Sequence, residues 1–301
     1  MVRTQILKVA FIIVVLGTAA CRPDTAGPPE FDGMRAFGYL EAQVEMGPRV
    51  PGTVEHDRTR DWIAGELGRL TPHVSLQPFT GDIGGMEVEM HNILCSLYPE
   101  NPSRVLLCAH WDCRPWADRD DNPSNHDRPV PGANDGASGV AVLLEIAALV
   151  ADREPAVGVD IVFFDGEDAG AYSQNDTWLL GSRHFARVMP AEYRPRYAIL
   201  LDMIGDRDLE LSRDYQSSVA APALWNRVLE ECARQEIPVA RETVGIIDDH
   251  IPLIERGIPA VDLIDFDYPS WHTIADTPDK CSAESLGKIG RLVMNLLYEE
   301  R

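Results

Sequence analysis

The stretch Val159-Asp160-Ile161-Val162-Phe163-Phe164-Asp165-Gly166-Glu167-Asp168 decides how the rest of the chain is read. Residues 159–164 are mostly apolar, β-branched or aromatic, which reads as a buried strand. That strand runs directly into three carboxylates and a glycine. Adjacent side chains on an extended segment point to opposite sides. Glu167 and Asp168 can therefore divide two tasks, one holding a metal while the other faces a substrate. Open α/β sheets place their chemistry just past the carboxyl ends of strands. An isolated acidic pair of this kind is most often a solvated turn, and the residues that accompany it here argue otherwise.

Working outward, 74–79, 86–97 and 104–110 read as strands upstream, and 198–203 and 260–264 downstream. Helices are expected over 35–45, 54–70, 140–151, from Ser182, over 221–235, over 251–256 with Gly257 closing it, and over 282–298. Strands alternating with helices give an α/β fold, a three-layer αβα arrangement with a mixed, mainly parallel central sheet. The chain has 301 residues, enough for one large core. One catalytic domain over 34–301 accounts for it, and no internal repeat or low-complexity block interrupts it.

His110, Asp135, Glu167, Asp168, Asp202 and His272 share a pattern. Each falls at a strand end or in a loop that feeds a helix, and in a parallel sheet those ends converge on one rim. Histidines and carboxylates gathered in one crevice suit zinc, which takes nitrogen and oxygen ligands and keeps a position open when catalytic. Asp112, two residues beyond His110, faces the same way and can orient its ring. Each residue also has a plain reading. A lone histidine is usually a hydrogen-bonded structural residue, Asp135 before Gly136 is usually a turn aspartate, and Asp202 can cap a helix. Five such coincidences in this order are less expected than one metal site. The polar loop from Cys113 to Pro131 is long for a compact domain, and such loops are more often functional than idle.

The order His110-x-Asp112, Asn134-Asp135-Gly136, Glu167-Asp168, Asp202 and His272 resembles the co-catalytic zinc aminopeptidases and their relatives, the animal-type glutaminyl cyclases. The resemblance runs from about residue 35 to the C-terminus and includes Gly47-Pro48-Arg49-Val50-Pro51-Gly52. Three features favour the cyclase branch: Phe163-Phe164-Asp165-Gly166-Glu167 leading to Gly181-Ser182-Arg183-His184, then Asp248-Asp249-His250-Ile251-Pro252, then Tyr268-Pro269-Ser270-Trp271-His272-Thr273. The second is the most specific, because ordinary aminopeptidases of the group do not need it. The resemblance implies a catalytic zinc held by Asp135, Asp168 and His272, with Glu167 as general acid/base. It makes Asp202 and Asp248 a hydrogen-bonded acidic pair beside Glu167, and Trp271 a wall of the substrate pocket. Asp168 departs from the pattern, since the cyclases usually carry glutamate there. Asp262 stands where the animal enzymes have histidine, and Ser173, with Tyr172 beside it, replaces an expected aromatic residue.

The expected reaction is cyclisation of an N-terminal glutamine to pyroglutamate with release of ammonia, on peptide or protein substrates with a free N-terminus. The rival is a two-zinc aminopeptidase, with His110 and Asp202 on a second metal and Asp135 bridging. A surface protein that binds peptides without turning them over is a third reading, and the intact Glu167 argues against it.

Residues 1–20 read as an export signal. Arg3 and Lys8 precede an apolar run over 9–16, and Gly17-Thr18-Ala19-Ala20 is a small-residue cleavage region. The run is too short to span a bilayer comfortably. Cys21 follows directly, as in a bacterial lipoprotein signal, although Thr18 departs from the usual leucine. The expectation is an exported protein, periplasmic or membrane-anchored, touching the membrane only through a lipid on Cys21, with 21–33 as a tether. The formal net charge is −21, and loss of residues 1–20 removes two positive charges. That surface excludes nucleic acid as a natural partner. Cys95, Cys108, Cys113, Cys232 and Cys281 are irregularly spaced and suggest no disulfide framework.

Overall fold

In the computed structural model, which describes residues 27–171 and 175–300, the strand that ends at Phe164 lies in the interior of a six-stranded sheet. Along the chain come helices α1 (Gly33–Glu45) and α2 (Val54–Gly68), strands β1 (Val74–Ile83), β2 (Met86–Leu97) and β3 (Arg104–His110), helix α3 (Ala137–Asp152), strand β4 (Gly158–Phe164) and helix α4 (Leu180–Val188). Strands β5 (Ala198–Asp202) and β6 (Leu211–Asp214) follow, then helices α5 (Tyr215–Ala220) and α6 (Pro222–Arg234), strand β7 (Val239–Val244), helix α7 (His250–Glu255), strand β8 (Ala260–Ile264) and helix α8 (Ala283–Tyr298).

The sheet order is β1-β2-β4-β3-β5-β8. β1, β2 and β4 are joined antiparallel, while β4, β3, β5 and β8 run parallel. The mixed, mainly parallel sheet is therefore present. Register sets His110 opposite Phe164 and Asp202 opposite Ile264, so the carboxyl ends of the four parallel strands share one edge of the molecule. Both faces are covered. Leu107, Ala109, Ile161 and Phe163 pack with residues of α1, α3 and α8, whereas Leu106, Cys108, Val162 and Phe164 pack with Phe185 of α4 and Leu253 of α7. A sheet buried on both sides explains the unbroken apolar run at 161–164.

α3 begins beside the rim and ends at the opposite pole. Its 16 residues at 1.5 Å each span about 24 Å. At that far pole the Gly27 carbonyl accepts from Nη1 of Arg153, at 2.7 Å. Phe31 is buried, its ring where a side chain at Gly290 of α8 would sit. Asp32 caps α1 by accepting the Met34 and Arg35 N–H groups, and Arg35 forms an ion pair with Glu145, buried on α3. Residues 27–33, expected as tether, are thus docked on the domain, because Phe31 and Asp32 find partners there. The export signal, Cys21 and the first part of the tether lie outside the described residues, as do Tyr172 and Ser173.

β6 and β7 form a separate two-stranded parallel sheet. All five described cysteines are buried and free. No helix among the described residues is long and apolar enough to cross a membrane.

Candidate active site

His110 is the last residue of β3 and Asp202 the last of β5, while Glu167 and Asp168 follow β4 by a tight turn at Gly166, where φ is +67°. These ends meet at Asp135, just before α3. His110 Nε2 lies 3.1 Å from Asp135 Oδ1 and 3.1 Å from Asp202 Oδ1. His272 Nε2 lies 3.0 Å from Asp168 Oδ1 and 3.7 Å from Asp135 Oδ2. The residues fall into two groups, His110–Asp135–Asp202 and Asp135–Asp168–His272, each with its donor atoms within 4.8 Å of one another.

These donors fit a metal ion. Asp135 Oδ2 and Asp168 Oδ2 are buried and lack any hydrogen-bond partner, an arrangement that is costly unless a cation satisfies it. Burial pushes the Asp168 carboxyl up to about 7, against the pull of Arg114. Burial also lowers His272 to about 3, which favours the neutral ring that a metal-binding histidine needs.

The backbone around the donors is held by buried polar side chains. The Asp276 carboxylate accepts the N–H groups of Asn134 and Asp135, at 2.8 and 3.1 Å, and the Tyr268 hydroxyl at 2.8 Å. Arg49, fully buried, donates to the carbonyls of Trp111, Pro131, Gly132 and Asp135 at 2.5 to 3.3 Å. The Gly47–Gly52 loop, which belongs to the family pattern in the sequence, therefore carries the residue that pins the loop before α3. Gly136 has φ +88°, and a side chain there would collide with the Asp112 carbonyl. Asp112 does reach His110, with Oδ1 3.4 Å from Nδ1. Its hydrogen bonds, however, go to the N–H groups of Glu167 and Asp168, at 3.1 and 3.2 Å. It positions the acidic turn as much as the ring.

Glu167 belongs to neither metal-donor group and lines a cavity of about 650 Å³, together with Asp168, Asp202, Asp248, Trp271 and His272. Burial pushes its carboxyl well above the ordinary range, Asp168 adds to this, and Asp248 and Asp249 contribute less. The neighbour that raises it most is Asp168. Asp202 and Asp248 both line this cavity, and Asp202 is the neighbour that most raises the Asp248 carboxyl. Asp202 Oδ1 faces His110, while Asp248 Oδ1 accepts the Asp249 N–H and its Oδ2 has no partner. Asp262 is buried near His250, with Oδ2 3.8 Å from Nδ1.

Trp271 forms part of the cavity wall, its ring centroid 4.2 Å from that of His272, with the Arg119 guanidinium 4.1 Å from the same centroid. Leu179, Met203 and His272 all line the cavity and all have positive φ, of 58°, 48° and 57°. Such backbone costs about 1–3 kcal/mol per residue and collects at functional sites. Sequence reasoning missed Arg49, Arg114, Asp118 and Asp276. Arg49 stood in the family pattern with no role attached, and the only signal of the others was position, in the long polar loop and just past His272.

The model of peptidase family M28 matches residues 92–297. The solved glutaminyl cyclase of Tannerella forsythia is 38% identical, covering 91% of this chain and 100% of its own, with a TM-score of 0.86. A Zn-dependent exopeptidase from Parabacteroides distasonis is 36% identical, covering 90% of this chain and 99% of its own, also with a TM-score of 0.86. The glutaminyl-peptide cyclotransferase of Bos taurus is 27% identical over 247 residues, which are 69% of this chain and 65% of the bovine protein. The chain thus spans just under two thirds of that relative's length. A family match over well over half of the chain, and near-complete overlap with solved bacterial relatives, give the conclusion that this chain belongs to peptidase family M28, in its glutaminyl cyclase branch.

Proposed function

We propose that this protein is a zinc-dependent glutaminyl-peptide cyclotransferase, converting the N-terminal glutamine of peptides to pyroglutamate with release of ammonia. The observation that carries this is Glu167, which faces the cavity, stands outside both metal-donor groups and directly adjoins the donor Asp168. Asp135, Asp168 and His272 would hold the zinc. When bound, zinc supplies Lewis-acid polarisation of the glutamine side-chain carbonyl.

The remaining chemistry belongs to the chain. The substrate's α-amine attacks the carbon of its own side-chain amide, forming the ring C–N bond. Glu167 takes the proton that the amine loses and passes it to the departing amide nitrogen, which leaves as ammonia. A carboxyl raised by burial is suited to both halves of that transfer. Trp271 offers a flat apolar wall against the forming ring. Because the attack is intramolecular, holding one conformer supplies much of the acceleration. Asp202 and Asp248 face the same cavity and keep it acidic toward the substrate's amino group.

A second reading has its own observation. His110, Asp135 and Asp202 form a second group of donors, as a two-zinc aminopeptidase requires. The test is a short peptide beginning with glutamine, incubated with zinc-loaded protein and read by mass spectrometry. Loss of one ammonia with every residue retained supports the cyclase. Free glutamine and a peptide one residue shorter would replace it by the aminopeptidase. The leader-like residues 1–20 and Cys21 support a place outside the cytoplasm, with peptides of the exported compartment as substrates. The mass of the mature N-terminus tests that placement.

A further inference from the structure

We propose that Arg114 and Asp118, in the long loop after β3, are positioning residues that grip Asp168 and His272 from outside and thereby set the affinity of the metal site. This rests on reading Asp135, Asp168 and His272 as metal donors, and not on which reaction the site performs.

Arg114 is buried although it carries a charge. Its Nη1 donates to the carbonyls of Asp168 and Gly170, at 3.0 and 3.1 Å, and approaches Asp168 Oδ1 at 3.4 Å. Its Nε and Nη2 clasp the two oxygens of Asp118, at 2.9 and 2.5 Å. Its guanidinium lies 4.7 Å over the Trp178 ring, which fixes its plane. Asp118, held in this fork, presents Oδ1 to His272 Nδ1 at 3.7 Å, the ring nitrogen opposite the one that faces Asp168 and Asp135.

The same loop holds the neighbouring backbone. The Arg119 N–H donates to the His272 carbonyl at 3.2 Å, and Asp120 Oδ2 accepts the Ile274 N–H at 3.2 Å. His272 sits at φ +57°, a conformation that persists only where its surroundings over-determine it. The loop supplies that constraint. A carboxylate behind a metal-binding histidine fixes the ring and raises its basicity, and such partners alter metal affinity ten- to a hundredfold when removed. The planar fork of arginine suits this place, because one side chain must meet a carboxylate and two carbonyls at once.

The experiment is competition of zinc alone against a chromogenic chelator, without substrate, using the intact chain, Asp118→Asn and Arg114→Lys. Thermal midpoints of the metal-free proteins are measured alongside. Zinc dissociation constants roughly 10- to 100-fold weaker are the expected result, alongside a lowered metal-free midpoint for Asp118→Asn, which loosens the fork on buried Arg114. Asp118 is the decisive site, since it is partly exposed and its substitution leaves the size of the side chain intact; Arg114→Lys adds to it if that variant folds. Zinc affinity within twofold of the parent for Asp118→Asn overturns the proposal, as does a lowered metal-free midpoint with no change in affinity. A failure of the cyclase reading would show only in the peptide assay and leave these affinities as they are.

Discussion

Replacing Glu167 by glutamine tests the chemistry with little disturbance of the fold. The amide has the same shape as the carboxyl, so the cavity wall is retained. Glu167 is in neither metal-donor group, so zinc binding should be unchanged. What is lost is the proton acceptor. General acid–base catalysis contributes about 10²- to 10⁴-fold, and with each tenfold worth about 1.4 kcal/mol the barrier should rise by roughly 3–5 kcal/mol. The parent must have Glu167 ionised to accept the amine proton, and burial raises that carboxyl. Its kcat/KM therefore falls as pH drops through the raised value, and the variant should lose this acid limb. The assay is ammonia release from a glutamine-initiated peptide across pH, beside metal analysis of each protein. A variant that keeps more than about a tenth of the parent rate would refute the role given to Glu167, since that loss is well below the range for a proton-transfer residue. Loss of zinc on this change alone would refute it too.

Other substitutions probe the surroundings. Arg49→Ala leaves four backbone carbonyls without their donor, each costing about 1–3 kcal/mol before relaxation. Urea unfolding should show a loss of at least roughly 3 kcal/mol; a loss under half of that would mean that the loop has other supports. Trp271→Ala removes an aromatic wall, and a loss of about 1.5–3 kcal/mol of apolar contact predicts a KM about ten- to a hundredfold higher. An unchanged KM would take Trp271 out of the binding surface. Asp265, which lies outside both metal-donor groups, has its carboxyl pushed up to about 7 by burial. A raised carboxyl favours the fold while protonated, so its contribution is lost as pH rises from about 3.9 through about 7. Asp265→Asn should therefore have the higher thermal midpoint at pH above that value, the difference shrinking toward acid pH, and a constant difference would contradict the assignment. One zinc per active chain is expected by elemental analysis, and two would favour the aminopeptidase.

The rim was legible because its residues announce themselves locally. An apolar strand that stops at a histidine or carboxylate is visible in the one-dimensional pattern, and three such stops, at His110, at Asp165 and at Asp202, predict a shared edge. The supports were not legible, because they act across the chain. Arg49 reaches Asp135 across 86 residues and Asp276 reaches Asn134 across 142, and neither contact leaves a mark on its neighbours in sequence. The small β6–β7 sheet escaped for another reason. β7 is largely exposed and shows no alternation of apolar and polar positions. Phe31 looked like part of a linker because its partner, the gap above Gly290, lies at the other end of the chain. The pairing of Asp202 with Asp248 came from family pattern, because nothing local links the end of β5 to the turn before α7.

The polarity of α3 has a practical consequence. Asp135 stands before its first turn, and Gly27 is held beside Arg153 just past its last one. A bead or sensor surface coupled upstream of residue 27 would therefore meet the domain at the pole farthest from the catalytic mouth. Immobilised in that way, the enzyme should present its opening to bulk liquid. It should then process the ends of large folded proteins at a rate close to that of the free enzyme, whereas coupling through the loop at 113–131 should block them.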